Sequence, residues 1–173
     1  MYKRQTSYDA FDSVNAPLCG EVDAAGLHFT NIAAGAPLPA AVYGDDIDSR
    51  VFLLKLIPGT SPDILRHIAA TGCRGLVVEA FGLGGLHYIR RNLVGTLREL
   101  AAQGVIILVT TQCMYEKADF SIYEVGRDVT GGNIHSGRDM TSEAAVAKLM
   151  WVLGKPEERL PYLEQNLCME ISP

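Results

Sequence analysis

Apolar residues are concentrated in three short runs that begin near residue 50. The runs are VFLLKLI at 51–57, GLVVEA at 75–80 and VIILV at 105–109. They are apolar almost throughout rather than alternating, which is typical of strands that are buried on both faces of a parallel sheet. The pattern therefore predicts three strands in one covered sheet.

Two segments between these runs carry apolar residues at helical spacing. In the first, Ser61 before Pro62 is typical of a helix N-terminus, and the helix should stop near Gly72. The second segment, 86–104, ends at Gly104, a typical C-cap residue. The residues predicted to face the core are Ile64, Leu65 and Ile68 in the first helix, and Ile89, Leu93, Thr96, Leu97 and Leu100 in the second.

The rest of the chain predicts one more strand and two helices. A short strand is expected within 131–139, and Thr141 should cap a helix over 142–154. A last helix, 156–167, begins with a proline and would be kinked by Pro161. The inward residues of the helix over 142–154 are predicted to be Ala145, Leu149, Val152 and Leu153.

The first fifty residues follow a different pattern. Residues 20–30, GEVDAAGLHFT, predict a small hairpin with its turn between Asp23 and Gly26. Residues 31–49 are rich in alanine, proline and glycine, which is typical of a linker or an extended covering strand. We therefore expect residues 1–50 to form a connector with a hairpin, and residues 51–173 to form the α/β domain.

These elements predict an α/β fold, a small doubly wound (flavodoxin-like) parallel sheet of about four strands. Helices should cover both faces, and an extended hairpin segment should precede the sheet. Right-handed crossovers place the carboxyl ends of all strands at one edge, where such sheets bind ligands. That edge should carry 58–59, 79–85 and 110–113.

Composition narrows the classes of function. The 173 residues carry a formal charge of −5 without clustered lysine and arginine, which argues against a nucleic-acid partner. No apolar stretch approaches the roughly 20 residues of a membrane span, and the first residues lack the apolar core of a signal peptide. The four cysteines and four histidines are widely spaced. We expect a reduced, cytoplasmic protein without metal or cofactor.

A glycine-rich segment, FGLGGLH at 81–87, follows the second predicted strand. Gly82 and Gly84 match the start of a dinucleotide fingerprint, but His87 occupies the third glycine position and no acidic residue follows at the required distance. Two interpretations remain open for Gly82, Gly84 and Gly85. They form a tight turn that needs positive φ angles, or a backbone surface that faces a small polar ligand.

Polar side chains end the second and third predicted strands. Glu79 is expected either to form a structural ion pair, with Arg74 or a residue of the N-terminal segment, or to form a wall of a polar pocket. Thr111, Gln112 and Cys113 would make a nucleophile site only with an adjacent base, and the next histidine is His135. We interpret Cys113 as a small apolar residue rather than a nucleophile.

Four segments together resemble the C-terminal, smaller domain of the cytosolic (type I) L-asparaginase family. They are YDAFDSVNAP at 8–17, GLVVEAFGLGG at 75–85, TQCMYEKADFSIYEVG at 111–126 and SGRDMTSEAAVAKLMWVLG at 136–154. Their order and spacing also fit that family, and the last segment is the most specific of them. The resemblance runs from about residue 6 to the end of the chain. It implies that residues 1–50 are an inter-domain connector and a hairpin left over from the large domain, and that residues 51–173 are the asparaginase-type C-terminal α/β domain.

The resemblance implies an amidohydrolase that converts L-asparagine to L-aspartate and ammonia through threonines of an N-terminal domain. The T-G-G-T and T-D-T motifs of that domain do not occur in this sequence, so the chain alone should be inactive. The implied partners are the asparaginase N-terminal domain, a second copy in a homodimer, and a small amino acid as substrate or effector. The implied ligand- or effector-facing residues are Glu79, Gly82, Gly84, Gly85, Thr111, Gln112, Cys113 and Tyr123.

Two other functions remain open. The D subunit of archaeal glutamyl-tRNA amidotransferase has a similar small domain. A non-catalytic α/β module that binds a small amino acid, or only another protein chain, would also explain the absence of a complete catalytic set.

Overall fold

The computed structural model describes residues 2–3, 6, 11–12, 14–30, 44–119 and 132–172. The strands are β1 (Tyr2–Lys3), β2 (Phe11–Asp12), β3 (Gly20–Asp23), β4 (Gly26–Phe29), β5 (Val51–Lys55), β6 (Gly75–Ala80), β7 (Ile106–Thr111) and β8 (Ile134–Ser136). The helices are α1 (Pro62–Ala70), α2 (Leu93–Ala102), α3 (Ser142–Gly154), α4 (Pro156–Arg159) and a 3-10 turn (Leu160–Tyr162). The last four strands form a parallel sheet of order β5-β6-β7-β8.

Helices cover both faces of this sheet, so the predicted α/β fold, with a parallel sheet of about four strands between helices, is confirmed. On one face α1 and α2 pack against β6 and β7 through side chains such as Leu65, Leu97 and Ile107. On the other face α3 packs against the same strands through Leu149 and Val77. The two central strands are buried on both sides because alternate side chains enter different cores.

The outer strand β5 differs from the prediction of complete burial. Phe52 and Leu53 are 46% and 42% exposed, although they point to opposite faces of the sheet. The reason is the position of β5 in the sheet order, since among the described strands it lies at the edge and pairs with β6 alone.

The N-termini of α1 and α3 form as predicted. The Ser61 hydroxyl accepts from the amide of Asp63, and the Thr141 hydroxyl accepts from the amide of Ala144. All four residues predicted to face inward from α3 are buried. In α1 Leu65 and Ile68 are buried, but Ile64 is exposed, which corrects that assignment.

Helix α2 begins later than predicted. It starts at Leu93, where the side chain of Asn92 accepts from the amide of Gly95, and residues 86–92 are not helical. Ile89, predicted to face the core, is 80% exposed. The C-terminal prediction holds, because Gly104 follows the helix with a φ of +94°.

The last predicted helix, 156–167, is shorter and changes type. It forms one α-helical turn at Pro156–Arg159 and then the 3-10 turn Leu160–Tyr162. Pro161 has no amide hydrogen to donate to the preceding turn, so a regular α-helix cannot continue through it.

The predicted hairpin forms from β3 and β4, which pair as Asp23 with Gly26 and Gly20 with Phe29. A second antiparallel pair joins β1 to β2. Of the predicted linker or covering strand at 31–49, residues 31–43 lie outside the described residues, and 44–49 carry no regular secondary structure. The boundary between connector and domain stays a prediction.

A buried arginine ties residues 44–50 to α3. Arg159 donates from Nη1 to the carbonyls of Asp46 and Trp151, both at 2.8 Å, and its guanidinium lies 4.7 Å from the centre of the Trp151 ring. Asp48 adds a second contact, since its amide donates to the carbonyl of Met150. The connector is therefore fixed where it enters β5. No helix in the described part of the chain is long and apolar enough to span a bilayer.

Candidate functional site

A polar pocket of about 200 Å³ lies at the carboxyl ends of β5, β6 and β7, beside the N-terminus of α3. This is the edge where parallel sheets bind ligands. The pocket is lined by Val14, Lys55, Glu79, Thr111, Gln112, Cys113, Met114, Glu116, Asp139, Met140, Thr141, Ser142 and Glu143. Of the candidates predicted from the sequence, Glu79, Thr111, Gln112 and Cys113 thus share one pocket.

Glu79 forms the inner wall of this pocket, and its side chain is only 12% exposed. Its Oε1 accepts a short hydrogen bond from the Ser142 hydroxyl at the start of α3. Its Oε2 lies 3.4 Å from Lys55 Nζ, which is an ion pair without hydrogen-bond geometry, and that buried oxygen has no hydrogen-bond partner among the described residues. The carboxylate is therefore balanced by Lys55 and by the positive end of a helix.

The predicted ion pair between Glu79 and Arg74 is wrong, because Glu79 pairs with Lys55. Arg74 pairs instead with Asp48, from Nη1 to Oδ2 at 2.9 Å. Arg50 binds the same carboxylate, and these hydrogen bonds, Arg50 first, hold the pKa of Asp48 far below its usual range. Asp48 belongs to the connector, where the sequence pattern indicates no site.

Thr111 and Gln112 use their side chains to join neighbouring loops. The Thr111 hydroxyl donates to the carbonyl of Gly82 and accepts from the amide of Cys113 at 2.9 Å. The Gln112 amide donates to the carbonyls of Leu56 at 2.7 Å and Glu79 at 3.0 Å. These contacts hold the ends of β5, β6 and β7 together, so both residues shape the pocket.

The three glycines lie in a turn next to the pocket rather than in its lining. Gly82 and Gly84 have positive φ angles of 49° and 108°. The amides of Gly84 and Gly85 both donate to the carbonyl of Phe81, at 3.0 and 2.6 Å. Because the turn uses these amides internally, the geometry favours the tight-turn interpretation over a ligand-facing backbone surface.

No histidine is among the described residues that line the pocket with Cys113, so the structure shows no base beside its thiol. His135 pairs with Glu164, with 3.0 Å between Nδ1 and Oε1. The last candidate, Tyr123, lies outside the described residues. In the described ranges no three His, Cys, Asp or Glu side chains are grouped so that they could hold a metal ion.

Two residues next to the site are not among the candidates predicted from the sequence. Asn15 reaches the pocket rim from the N-terminal segment and donates to the carbonyls of Met114 and Asp139, both at 3.0 Å. It lies within YDAFDSVNAP, so the family resemblance is the signal that could have found it. Thr110, which pairs with Glu79 across β6 and β7, is fully buried, its hydroxyl has no partner among the described residues, and nothing in its type or spacing distinguishes it.

Comparison with known proteins decides the family. Residues 50–160 match the model of the glutaminase/asparaginase C-terminal domain. The chain belongs to this family. The resemblance seen in the sequence is confirmed.

Relatives of the chain include an L-asparaginase from Thermococcus kodakarensis, 35% identical over 170 residues and 95% of this chain. The solved structure of the thermostable L-asparaginase from that organism has a TM-score of 0.81, with 33% identity and 98% of this chain covered. L-asparaginase I from Vibrio cholerae has a TM-score of 0.79 at 25% identity, over 95% of this chain. The D subunit of a glutamyl-tRNA(Gln) amidotransferase from Archaeoglobus fulgidus is 32% identical over 95% of this chain.

In each comparison the chain covers only part of the other protein. It spans 50% of the T. kodakarensis relative, 40% of the A. fulgidus relative, and 52% and 50% of the two solved asparaginase chains.

Proposed function

We propose that this chain is the C-terminal domain of a cytoplasmic L-asparaginase, which hydrolyses L-asparagine to L-aspartate and ammonia. The supporting observation is that the family match coincides with the sheet whose strand ends carry the polar pocket. The described part of the chain offers no nucleophile with an adjacent base, and we assign the reacting threonines to the N-terminal domain that the family resemblance implies. This chain supplies walls of a site that the other domain completes.

The chemistry of the pocket suits a small zwitterion. Lys55 and Glu79 place opposite charges 3.4 Å apart at its inner end. An amino acid carries an ammonium and a carboxylate, and it can replace this weak internal pair by one contact to each group. Glu79, Thr111, Gln112 and Cys113 are proposed to face the substrate or effector. The neighbouring turn of Gly82, Gly84 and Gly85 is proposed to shape that site, and Tyr123 is proposed as a further ligand-facing residue. A homodimer is proposed to close the site.

A single-chain fusion tests this function. The amino-terminal half of the T. kodakarensis L-asparaginase is joined to residues 1–173, and ammonia release from L-asparagine is compared with that of each half alone. We expect activity from the fusion and none above background from either half. A folded, monodisperse fusion without activity would contradict the proposal.

The amidotransferase interpretation has one specific observation in its favour. The A. fulgidus relative is 32% identical over 169 residues, close to the 35% of the asparaginase relative. A second fusion, with the amino-terminal part of that amidotransferase chain, separates the two functions. Ammonia release from glutamine that depends on a glutamylated tRNA and on the other amidotransferase chain, with none from asparagine in the first fusion, would favour the amidotransferase.

A non-catalytic binding module is tested on the chain alone. Calorimetric titration with L-asparagine, L-aspartate and L-glutamine shows whether residues 1–173 bind a small amino acid without the second domain. Saturable heat together with an inactive fusion would favour the binding module over the enzyme.

A further inference from the structure

A second cavity, of about 500 Å³, lies apart from the strand-end pocket. It is formed by Gly59, which follows β5, and by residues 86–91, which lie between β6 and α2. None of these residues lines the strand-end pocket. We call this cavity the arginine groove, because Arg90 and Arg91 supply its charge. Its volume lies in the range of small-molecule sites.

The loop that carries the two arginines is closed at its base. The Leu93 amide donates to the carbonyls of His87 at 3.0 Å and Arg91 at 2.7 Å. The His87 ring packs edge-on against Phe81, with 5.2 Å between the ring centres. The side chains of the loop therefore project from a turn whose two ends are fixed to each other and to the end of β6.

Gly59 provides the room that the Arg91 side chain occupies. A Cβ at position 59 would lie 3.0 Å from Arg91 Nη1, which is shorter than an ordinary van der Waals contact. The φ of Gly59, +103°, also favours glycine. The turn is fixed by Thr60, whose hydroxyl accepts from the amide of Ile57 at 3.0 Å and donates to its carbonyl at 2.8 Å. The Arg91 guanidinium is therefore placed against the backbone of a hydrogen-bonded turn.

The two arginines of the groove have no counter-charge among the described residues. Neither makes an ion pair or a side-chain hydrogen bond there, and the described lining contains no aspartate or glutamate. The first turn of α2, which follows directly, has no acidic residue either. Four other arginines each pair with a carboxylate of this acidic chain: Arg50, Arg66, Arg74 and Arg159. Two adjacent guanidinium groups are therefore available to an external anion.

The donors of the groove fit a phosphate group. A guanidinium presents paired N–H donors that match the oxygens of an oxyanion. A phosphate monoester carries a charge of about −1.5 to −2 and three acceptor oxygens, so it can engage both arginines, whereas a carboxylate is satisfied by one. Tyr88 and Ile89, 53% and 80% exposed, add apolar surface beside these donors.

We propose that the arginine groove binds the phosphate group of a small organic molecule. Arg90 and Arg91 contact the phosphate, and Tyr88 and Ile89 contact the organic part. The site lies outside the strand-end pocket and goes beyond the proposed function. Nucleic acid fits less well, because two arginines neutralise only about two phosphates of a backbone and the chain carries a net charge of −5.

Calorimetric titration of the 173-residue chain with phenyl phosphate, at constant ionic strength, tests the site. We expect saturable binding that R90Q and R91Q together weaken at least about tenfold, because the charge-assisted hydrogen bonds to the phosphate are lost. Arg138→Gln is the matched control, since it removes the same charge from an exposed position outside the groove. It should change the affinity by less than about twofold. Thermal midpoints of the variants should match that of the wild type, because all three arginines are exposed.

Inorganic phosphate separates the two parts of the ligand. We expect phenyl phosphate to bind at least about threefold more tightly than inorganic phosphate, because its ring covers apolar surface of the groove. Ile89→Ser should remove most of this difference and leave the affinity for inorganic phosphate unchanged.

Three results would overturn the inference. An absence of saturable binding for both compounds, or equal weakening by the double substitution and by Arg138→Gln, would remove the site. Equal affinities for the two compounds would remove the organic part of the ligand. Tighter binding of an RNA oligonucleotide that also depends on Arg90 and Arg91 would assign the arginines to nucleic acid. None of these measurements reads ammonia release, so their failure does not bear on the proposed function.

Discussion

At the scale of single residues, one carboxylate oxygen of Glu79 accepts a hydrogen bond, whereas the other makes only an ion-pair contact with Lys55. Ser142 donates to Oε1, whereas Oε2 faces Lys55 without a hydrogen bond among the described residues. The Lys55 side chain is 63% exposed, so water screens its attraction to the carboxylate. The position of the Glu79 carboxylate is therefore set mainly by the Ser142 hydroxyl at the start of α3. Its Oε2, which faces Lys55, is available to a ligand.

Double-mutant cycles test this division of roles. With Glu79→Leu as the common variant, we expect a coupling energy with Ser142→Ala of about 1.5–3 kcal/mol, because a hydrogen bond to a charged group is lost. The coupling with Lys55→Met should stay below about 1 kcal/mol. Urea unfolding measures both, and a larger coupling for Lys55 than for Ser142 would reverse the assignment.

The buried pair of Lys148 and Glu170 predicts a dependence of stability on pH. Burial favours a raised pKa for Glu170, but hydrogen bonds from Lys148 at 2.5 Å and from the amides of Cys168 and Leu167 outweigh it, so its pKa lies below its usual value. A carboxylate with a lowered pKa contributes stability above its unfolded value and loses that contribution as the pH falls through the folded pKa.

We therefore expect Glu170→Gln to flatten the loss of stability between about pH 5 and pH 3. At neutral pH the same change leaves the buried Lys148 ammonium without its counter-charge and should cost about 3 kcal/mol. Unfolding free energies over this pH range measure both effects. Glu157→Gln, at an exposed position, is the control, and parallel curves for wild type and Glu170→Gln would refute the prediction.

At the scale of elements, the start of α2 depends on one side chain. Asn92 accepts from the amide of Gly95 at 2.9 Å, and its carbonyl accepts from the Thr96 hydroxyl. Asn92→Ala should lower the free energy of unfolding by about 1 kcal/mol, whereas Asn92→Asp should retain most of it. Chemical denaturation of the two variants measures the difference, and equal losses would show that the cap is not what stabilises this end.

Asn92 also shows why some elements could be predicted and others could not. Ser61 and Thr141 stand directly before apolar helical patterns, so both helix starts were visible in the sequence. Before Asn92, however, Ile89 continues the spacing of Leu93 although it lies in an exposed loop. Spacing alone does not distinguish a core residue from an exposed apolar one.

The same limit applies to the site. Parallel strands bring Glu79 and Thr111 to one edge, and strand order alone was enough to predict that. The partner of Glu79 comes from a distant part of the chain, since Ser142 lies 63 residues later. Outside the pocket, Arg159 likewise lies 113 residues after its partner Asp46. Such pairs depend on how α3 and the connector pack, which the local pattern does not contain.

At the scale of the whole molecule, two strand elements expose apolar side chains. One is the β3–β4 hairpin, with Val22, Leu27 and Phe29, and the other is β5, the edge of the parallel sheet among the described strands, where Phe52 and Leu53 are exposed. An edge strand with apolar side chains on both faces and unpaired backbone groups is a template for pairing with another strand. The four successive residues 51–54 are apolar, and a charge follows only at Lys55.

This edge predicts that the chain alone associates through β5 as its concentration rises. Leu53→Lys places a charge at the centre of the strand and should suppress that association, while the free energy of unfolding changes by less than about 1 kcal/mol because Leu53 is 42% exposed. Sedimentation velocity over a range of concentrations measures the effect. Ile64→Lys, which adds the same charge at an equally exposed position on α1, is the matched control. If both substitutions reduced association equally, net charge rather than the β5 edge would govern it. If neither did, the contact would lie elsewhere, and Val22, Leu27 and Phe29 of the β3–β4 hairpin would be the next residues to substitute.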